Sequence, residues 1–383
     1  MIPRLKEAGA ELFSRPALYW ALAGVFWLRV VVLSAIVPRR PDAEGMWEGA
    51  HAFLTNPSHM YDAAAAYLAQ THVIAPPGVL AAFVSPPPVA VMAIPVALLP
   101  RSLGVEVWTA IDAVALLAGL LFLYRALAIT NRIAQPVFWL VAAYFPPLFA
   151  DISAGQRGGV MLLAAMVIGP RPAHRVRYAA ALAAVVLAIT ALTFIPLGVG
   201  GAVFYYQHVL IPSLASHNPD CAYDSVRTLF TRTIGGEAFL QPSGTGVVLV
   251  QSPLHLGTVA LLLSYLSAVL FAAGAAWAAW RSGWNPAYGM AVGFALGALI
   301  PNEVWPYQWL PLLPLILLVA VRAIERGRWM TLGVLGVCLL GFYRQPCDLP
   351  FPNLWTVAAI GVFALALWEN RLFRLEVGTT SRS

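Results

Sequence analysis

The chain is poor in charge. Only 10% of its 383 residues are Asp, Glu, Lys or Arg, against about 25% in an ordinary soluble domain. Lysine is almost missing: Lys6 is the single example. With 60% hydrophobic residues, too little polar surface remains to coat a water-soluble protein of this size. A polytopic membrane protein is the class that composition allows. Cysteine is scarce as well. Cys221, Cys338 and Cys347 form no CxxC and no Cys/His metal spacing, which argues against a zinc site. Cys221 and Cys347 fall in links assigned below to one side of the membrane, where pairing is open to them. The net charge of +6 does not point to nucleic acid. The arginines sit in short clusters between apolar runs, as topogenic and lipid-facing charges do.

What is present is a series of apolar runs. The clearest cover about 17–37, 103–124, 133–150, 178–206, 254–280, 286–300, 304–321, 329–343 and 351–369, with a shorter run at 158–169. About 20 residues at 1.5 Å each cross the hydrocarbon, so the expectation is an all-α bundle of about 10 spans in a single integral membrane domain, 1–383. The first run is too long for a signal h-region and lacks a small-residue cleavage site, so it is expected to stay as an anchor. Pro196, Pro311 and Pro314 predict kinked helices.

Arginine sets the orientation. Arg15 precedes the first run; Arg125 and Arg132, then Arg171, Arg175 and Arg177, then Arg281, then Arg322, Arg326 and Arg328, and finally Arg371 and Arg374 occupy alternate links. The positive-inside rule places these in the cytoplasm. The links 38–77, 151–157, 207–252, 301–303 and 344–350 then lie outside, and they hold most of the Asp and His. The segment "GVLAAFVSPPPVAVMAIPVALLP", residues 78–100, carries Pro86, Pro87, Pro88 and Pro95. Parity of the crossings asks for a re-entrant or half-spanning segment there.

The first outer link gathers Asp42, Glu44, Glu48 and Asp62. Residues 43–55 read as an amphipathic helix on the membrane surface, with Trp47, Ala50, Phe53 and Leu54 as its apolar stripe. Asp42 has two readings. One is the N-cap of that helix; the other is a general base whose pKa is moved at the membrane boundary. The link 207–252 is long for a bundle connection and reads either as a mobile connector or as a functional loop.

"DAEGMWEGAHAFLTNPSHMYD", residues 42–62, resembles the first outer loop of glycosyltransferase family 87. In that family an Asp follows the first span, then an Asn-Pro turn (here Asn56-Pro57) and a Tyr-Asp pair (here Tyr61-Asp62). "SPPPVAVMAIPVALLP" resembles its proline-punctuated segment. "YFPPLFADISAGQRGGVML" matches its PP-to-GQ segment at Gly155-Gln156. "DSVRTLFTRTIGG" resembles its NxSxRxxxxR-type stretch at Ser225, Arg227 and Arg232, and "PNEVWPYQWL" its late SPxSWxHH segment. The departures are Thr193 where the family carries Lys ahead of Pro196, Tyr307-Gln308 for its His pair, and Gly158 for Asn.

The resemblance implies a GT-C fold in a multi-pass cell (inner) membrane protein with its active face outside the cytoplasm. It implies transfer of a hexose, mannose in the family, from a polyprenyl-phosphate donor to the hydroxyl of a glycolipid or glycan acceptor, with inversion and without metal or other cofactor. Asp42 is then the base. Arg227 and Arg232 are expected on the donor phosphate, with Arg40, and with Arg29 inside the first span, as further cations. Tyr61, Gln156, Glu303, Trp305 and Tyr307 complete the expected substrate-binding set; Asp151 is a further candidate. Glu106 and Asp112 read as structural, and His51, His59 and His72 show no metal-like arrangement. Three rivals stand beside the enzyme: a transporter of lipid or lipid-linked sugar, which calls for inverted repeats that the sequence does not show, an inactive lipid-binding homologue, and an assembly subunit of a cell-envelope complex, for which the sequence specifies no partner.

Overall fold

The computed structural model describes residues 15–36, 40–71, 83–168, 175–215, 224–243, 246–283, 285–301, 306–343 and 353–373. Helices α1 (Pro16–Ala35), α2 (Pro41–Thr55), α3 (Asp62–Thr71), α4 (Pro87–Met92), α5 (Ile94–Ala97) and α6 (Arg101–Ala126) open the chain. Helices α7 (Ala134–Tyr144), α8 (Pro146–Ala154), α9 (Gly158–Ile168), α10 (Arg175–Phe194), α11 (Gly198–Tyr205) and α12 (Ile211–Ala215) follow. Then come α13 (Val226–Thr233), strands β1 (Ala238–Ser243) and β2 (Gly246–Gln251), and helices α14 (Gly257–Arg281), α15 (Pro286–Leu299), α16 (Leu313–Glu325), α17 (Trp329–Gly341) and α18 (Leu354–Trp368). Helix dominates, as composition led one to expect. Among the described residues the strands form one antiparallel hairpin.

Over its described residues, each of the ten apolar runs is helical, as one helix or a bent pair. Helices α1, α6 and α14, and the stretch Pro306–Glu325 that ends in α16, are long and apolar enough to cross a membrane. Two bent pairs raise the number to six: α7 with α8, bent by 52°, and the end of α10 with residues 198–213, bent by 113°. Helices α15, α17 and α18 are apolar but shorter. The chain is a membrane protein on this ground. The bends have local causes. Phe145 precedes Pro146 and takes an extended ψ of 106°, as a pre-proline residue prefers. Pro196 and the left-handed Gly198, φ +67°, break the second pair. Pro314 does not kink a helix; it occupies the first turn of α16, where its missing N–H costs nothing. Segment 83–100 forms only α4 and α5, of six and four residues. At 1.5 Å per residue they reach about 9 and about 6 Å, too short to cross.

The chain divides into two compact units. One comprises residues 37–119 and 151–220. Its core is Ala43, Met46, Ala50, Tyr61, Phe83, Ala90, Val96, Trp108 and Tyr205 with their neighbours. Helix α2 lies against α4 and α5. The touching face of α2 is small, and the residues ahead of α4 come close as well: a Cβ on Gly49 would meet the Phe83 ring at 2.3 Å. The expected helix is present, with Ala50 of its expected stripe buried and Trp47 and Phe53 packed on the core. Its buried face is Ala43, Gly45, Met46, Gly49 and Ala50, covered by protein, while Leu54 of the expected stripe is exposed.

The other unit comprises residues 1–36, 120–150 and 221–383. Helix α7 packs on α1 and α16, and α14 to α18 run up and down beside one another. The arginine-bearing links of this unit meet at one end. Arg322 donates to the Leu127 carbonyl at 3.3 Å, Arg326 to the Arg371 carbonyl at 3.2 Å and Arg328 to Glu369 at 2.8 Å. Asn285 donates to the Phe373 carbonyl there at 3.0 Å. At the other end α13, the hairpin and the start of α18 come together. The link 207–252 is therefore not featureless: its described part holds a π-turn, α12, α13 and the hairpin.

Candidate functional site

The four carboxylates after the first span divide among three sets of partners. Glu44 and Glu48, one helical turn apart on α2, both reach Arg101 at 2.9 Å. Asp62 pairs with His59 at 2.9 Å on an exposed turn. Asp42 is half-buried and faces Gln156 and Arg157 instead. Helix α2 begins at Pro41, and its N-cap position belongs to Arg40. Asp42 is therefore the second helical residue and not the expected cap. Burial pushes its carboxyl up to about 6, against a hydrogen bond from the Gln156 side chain and the positive charge of Arg157, which both pull it down. Burial outweighs its partners, so a carboxyl results that titrates close to neutral pH.

The turn that carries Gln156 is built on glycine. Gly155 has φ +69°, and a Cβ there would meet the Ala43 Cβ at 2.5 Å and the Thr109 Oγ1 at 2.9 Å. Only glycine lets the turn approach α2 so closely. Trp108 fixes it from α6: its Nε1 donates to the carbonyls of Gly155 at 3.0 Å and Gln156 at 3.2 Å. Behind the turn, α9 starts on two buried acids. The Gly158 N–H donates to Asp151 Oδ1 at 3.2 Å and the Val160 N–H to Asp112 Oδ1 at 3.0 Å. Helices α6 and α9 touch because Gly159 lacks a side chain; its Cβ would lie 2.2 Å from the Asp112 carbonyl. Asp112 and Asp151 thus anchor the turn that presents Gln156. Arg157 extends from it to Ser85 Oγ at 3.2 Å.

Arg40 and Tyr61 have structural partners. Arg40, buried, donates to Glu106 and to the Ile152 carbonyl, both at 3.3 Å. Tyr61, buried, donates to the Ser85 carbonyl at 2.7 Å and packs on Tyr205 with centroids 4.6 Å apart. Gln156 is the expected residue that the structure brings to Asp42. Arg157, its neighbour, was not singled out in the sequence; an arginine next to a Gly-Gln pair was its only signal.

In the other unit, Arg29 is exposed on α1 within electrostatic reach of Tyr144. Tyr144 stacks on Tyr343 with centroids 6.4 Å apart. Tyr307 is half-buried at the start of the turn before α16. Arg232 is buried, with its guanidinium 5.2 Å from the Phe239 ring centroid. Arg227, half-buried on α13, has no hydrogen-bond or ion-pair partner among the described residues. Ser225 caps α13 by accepting from the Thr228 N–H at 3.0 Å. Asp224, also not singled out, accepts from the Thr356 hydroxyl at 2.7 Å and the Thr356 N–H at 3.1 Å. It supplies the cap that α18 lacks, since Asn353 at its N-cap is left-handed and turns its side chain to Thr228. Burial pushes the Asp224 carboxyl up to about 6 despite these bonds.

Glu303, Trp305, His72, Cys221 and Cys347 lie outside the described residues. Among the described ones no group of three His, Cys, Asp or Glu side chains is placed to hold a metal. Comparison with protein-family models, curated proteins and solved structures finds no match.

Proposed function

We propose that this chain is an integral membrane glycosyltransferase. It moves a hexose, mannose by the family resemblance, from a polyprenyl phosphate to the hydroxyl of a glycolipid or glycan outside the cytoplasm. The observation that carries the reading is Asp42, raised to about 6 by burial and held by Gln156. A general base works best with a pKa near the operating pH and is worth roughly 10²–10⁴ in rate.

In this reaction the acceptor oxygen attacks the anomeric carbon from the face opposite the phosphate. The carbon–oxygen bond to phosphate breaks, and its electron pair leaves with the polyprenyl phosphate. Asp42 takes the hydroxyl proton as the new bond forms. The configuration inverts in one displacement. Gln156 aims the carboxylate, and Arg157 favours its ionised form, the form that accepts a proton.

The test uses purified protein in nanodiscs, offered decaprenyl- or undecaprenyl-phosphate sugars with a mixed envelope-lipid extract. Products gaining one hexose by mass are expected. Lipid binding without transfer from any such donor would overturn the enzyme reading in favour of a carrier or an inactive homologue.

A further inference from the structure

The hairpin shows an unusual face. In antiparallel sheets with one side covered, the other side is normally polar. Here Leu240 pairs directly with Leu249, so the two side chains share a face. Phe239 pairs with Val250 on the opposite face, and Phe239 is buried against Arg232. The hairpin is thus held at Phe239 and turns Leu240 and Leu249 outward, 39% and 62% exposed; Val248, farther along on the Phe239 face, is exposed as well. Leu254 and Leu256, in the link to α14, are exposed as well.

That apolar surface continues into a membrane-spanning helix. Only 11% of the apolar window of α14 is covered by protein, and Leu262, Leu266, Val269 and Leu270 are exposed along it. Exposed leucines therefore run from the hairpin through the link onto a surface that lies against lipid. The attachment is firm. Gln251 Nε2 donates to the Gly236 carbonyl and Ser252 Oγ to the Thr233 carbonyl, both at 2.6 Å. The Leu256 N–H donates to the Ile234 carbonyl at 2.9 Å. The hairpin lies at the end of α14 opposite Arg281, away from the arginine-bearing links.

We propose that the β1–β2 hairpin is a lipid-docking element, with Leu240, Leu249, Leu254 and Leu256 entering the boundary between headgroups and acyl chains. An isolated hairpin has unpaired backbone on both outer edges, which hydrocarbon does not tolerate. Its backbone therefore stays at headgroup level and only its side chains go deeper. Charge agrees with this depth. Arg227, on the helix to which the hairpin is tied, is without a partner among the described residues, and anionic headgroups attract such a cation. The inference is independent of glycosyl transfer.

The test places a nitroxide on a ketone-bearing amino acid introduced at 249, and separately at 240, in the full chain in nanodiscs of mixed zwitterionic and anionic lipid. No native cysteine is disturbed. Collision with oxygen and with an aqueous nickel chelate is measured, and position 262 on α14 serves as the lipid-exposed reference. Oxygen exceeding nickel at 249 and 240, at a depth shallower than 262, is expected. Nickel exceeding oxygen would put the hairpin in water and overturn the proposal. Low collision with both would mean that protein, a second copy included, covers the leucines, and would overturn it equally. If the label at 249 prevents folding, position 240 gives the same decision.

Discussion

The side chain of Gln156 donates a hydrogen bond to the carboxyl of Asp42. It joins the turn before α9 to the first turn of α2, and it holds the ionised form of an acid that burial would otherwise keep neutral. Replacing Gln156 by Leu removes the donor. The Asp42 carboxyl then rises above about 6. The acidic limb of a pH–rate profile for sugar transfer moves to higher pH, while the rate at high pH falls less. An unmoved limb would mean that Gln156 does not tune this acid.

Asp42 also links stability to pH. Its folded value, about 6, is above the ordinary 3.8, so the folded protein binds the proton more tightly than the unfolded chain. Stability from this group is complete below 3.8 and is lost as pH rises through about 6. Asn carries no charge at any pH. Asp42→Asn is therefore expected to be more stable than wild type at pH 7.5, by about 1–2 kcal/mol after allowance for partial exposure, with a higher unfolding temperature, and to differ little at pH 4. Thermal unfolding in detergent at both pH values checks the sign.

Gly155→Ala should damage the same place from the backbone side. The turn needs φ +69°, and the new Cβ would come within 2.5 Å of Ala43. Left-handed strain and overpacking each cost roughly 1–3 kcal/mol. The variant is expected to unfold at lower temperature and to lose transfer activity beyond what that instability explains. Gly333→Ala, inside α17 where nothing lies within 4 Å of the added Cβ, is the control and should be neutral or slightly stabilising.

Asp224 holds α18 from a distant part of the chain. Asp224→Ala leaves the buried N–H and hydroxyl of Thr356 without an acceptor, at a cost of about 2–4 kcal/mol. Asp224→Asn keeps an acceptor and drops the charge, so it should cost clearly less. Its folded value is raised to about 6, so the advantage of Asn over Asp is expected to grow as pH rises from 4 to 7. Equal stability of all three proteins would remove this cap from the account.

The long apolar runs made α1, α6 and α14 legible in the sequence, because a span is written in one continuous stretch. The arginine-bearing links were legible too; Arg322, Arg326, Arg328 and Arg371 do meet at one end. What escaped depends on contacts between distant segments. Asp42 next to Pro41 had the look of a cap, yet Pro41 itself enters the helix and shifts the cap to Arg40. The hairpin hid in 207–252 because its strands are only six residues each and one face shows leucine where alternation would show polar residues. Asp224 carried no local sign of its role, since its partner Thr356 belongs to another helix. Gln156 was found through a motif resemblance; the positive φ at Gly155 that delivers it could not be read from one chain.

The most direct measurement compares wild type with Asp42→Asn in nanodiscs, at pH 7.5, with polyprenyl-phosphate sugars and an envelope-lipid acceptor extract, by product mass and initial rate. The variant keeps the fold and the Gln156 contact but cannot take a proton. A loss of more than about 100-fold, with wild-type rates falling as pH drops through 6, is the predicted result. Equal turnover by the two proteins would contradict the account and remove Asp42 from the chemistry.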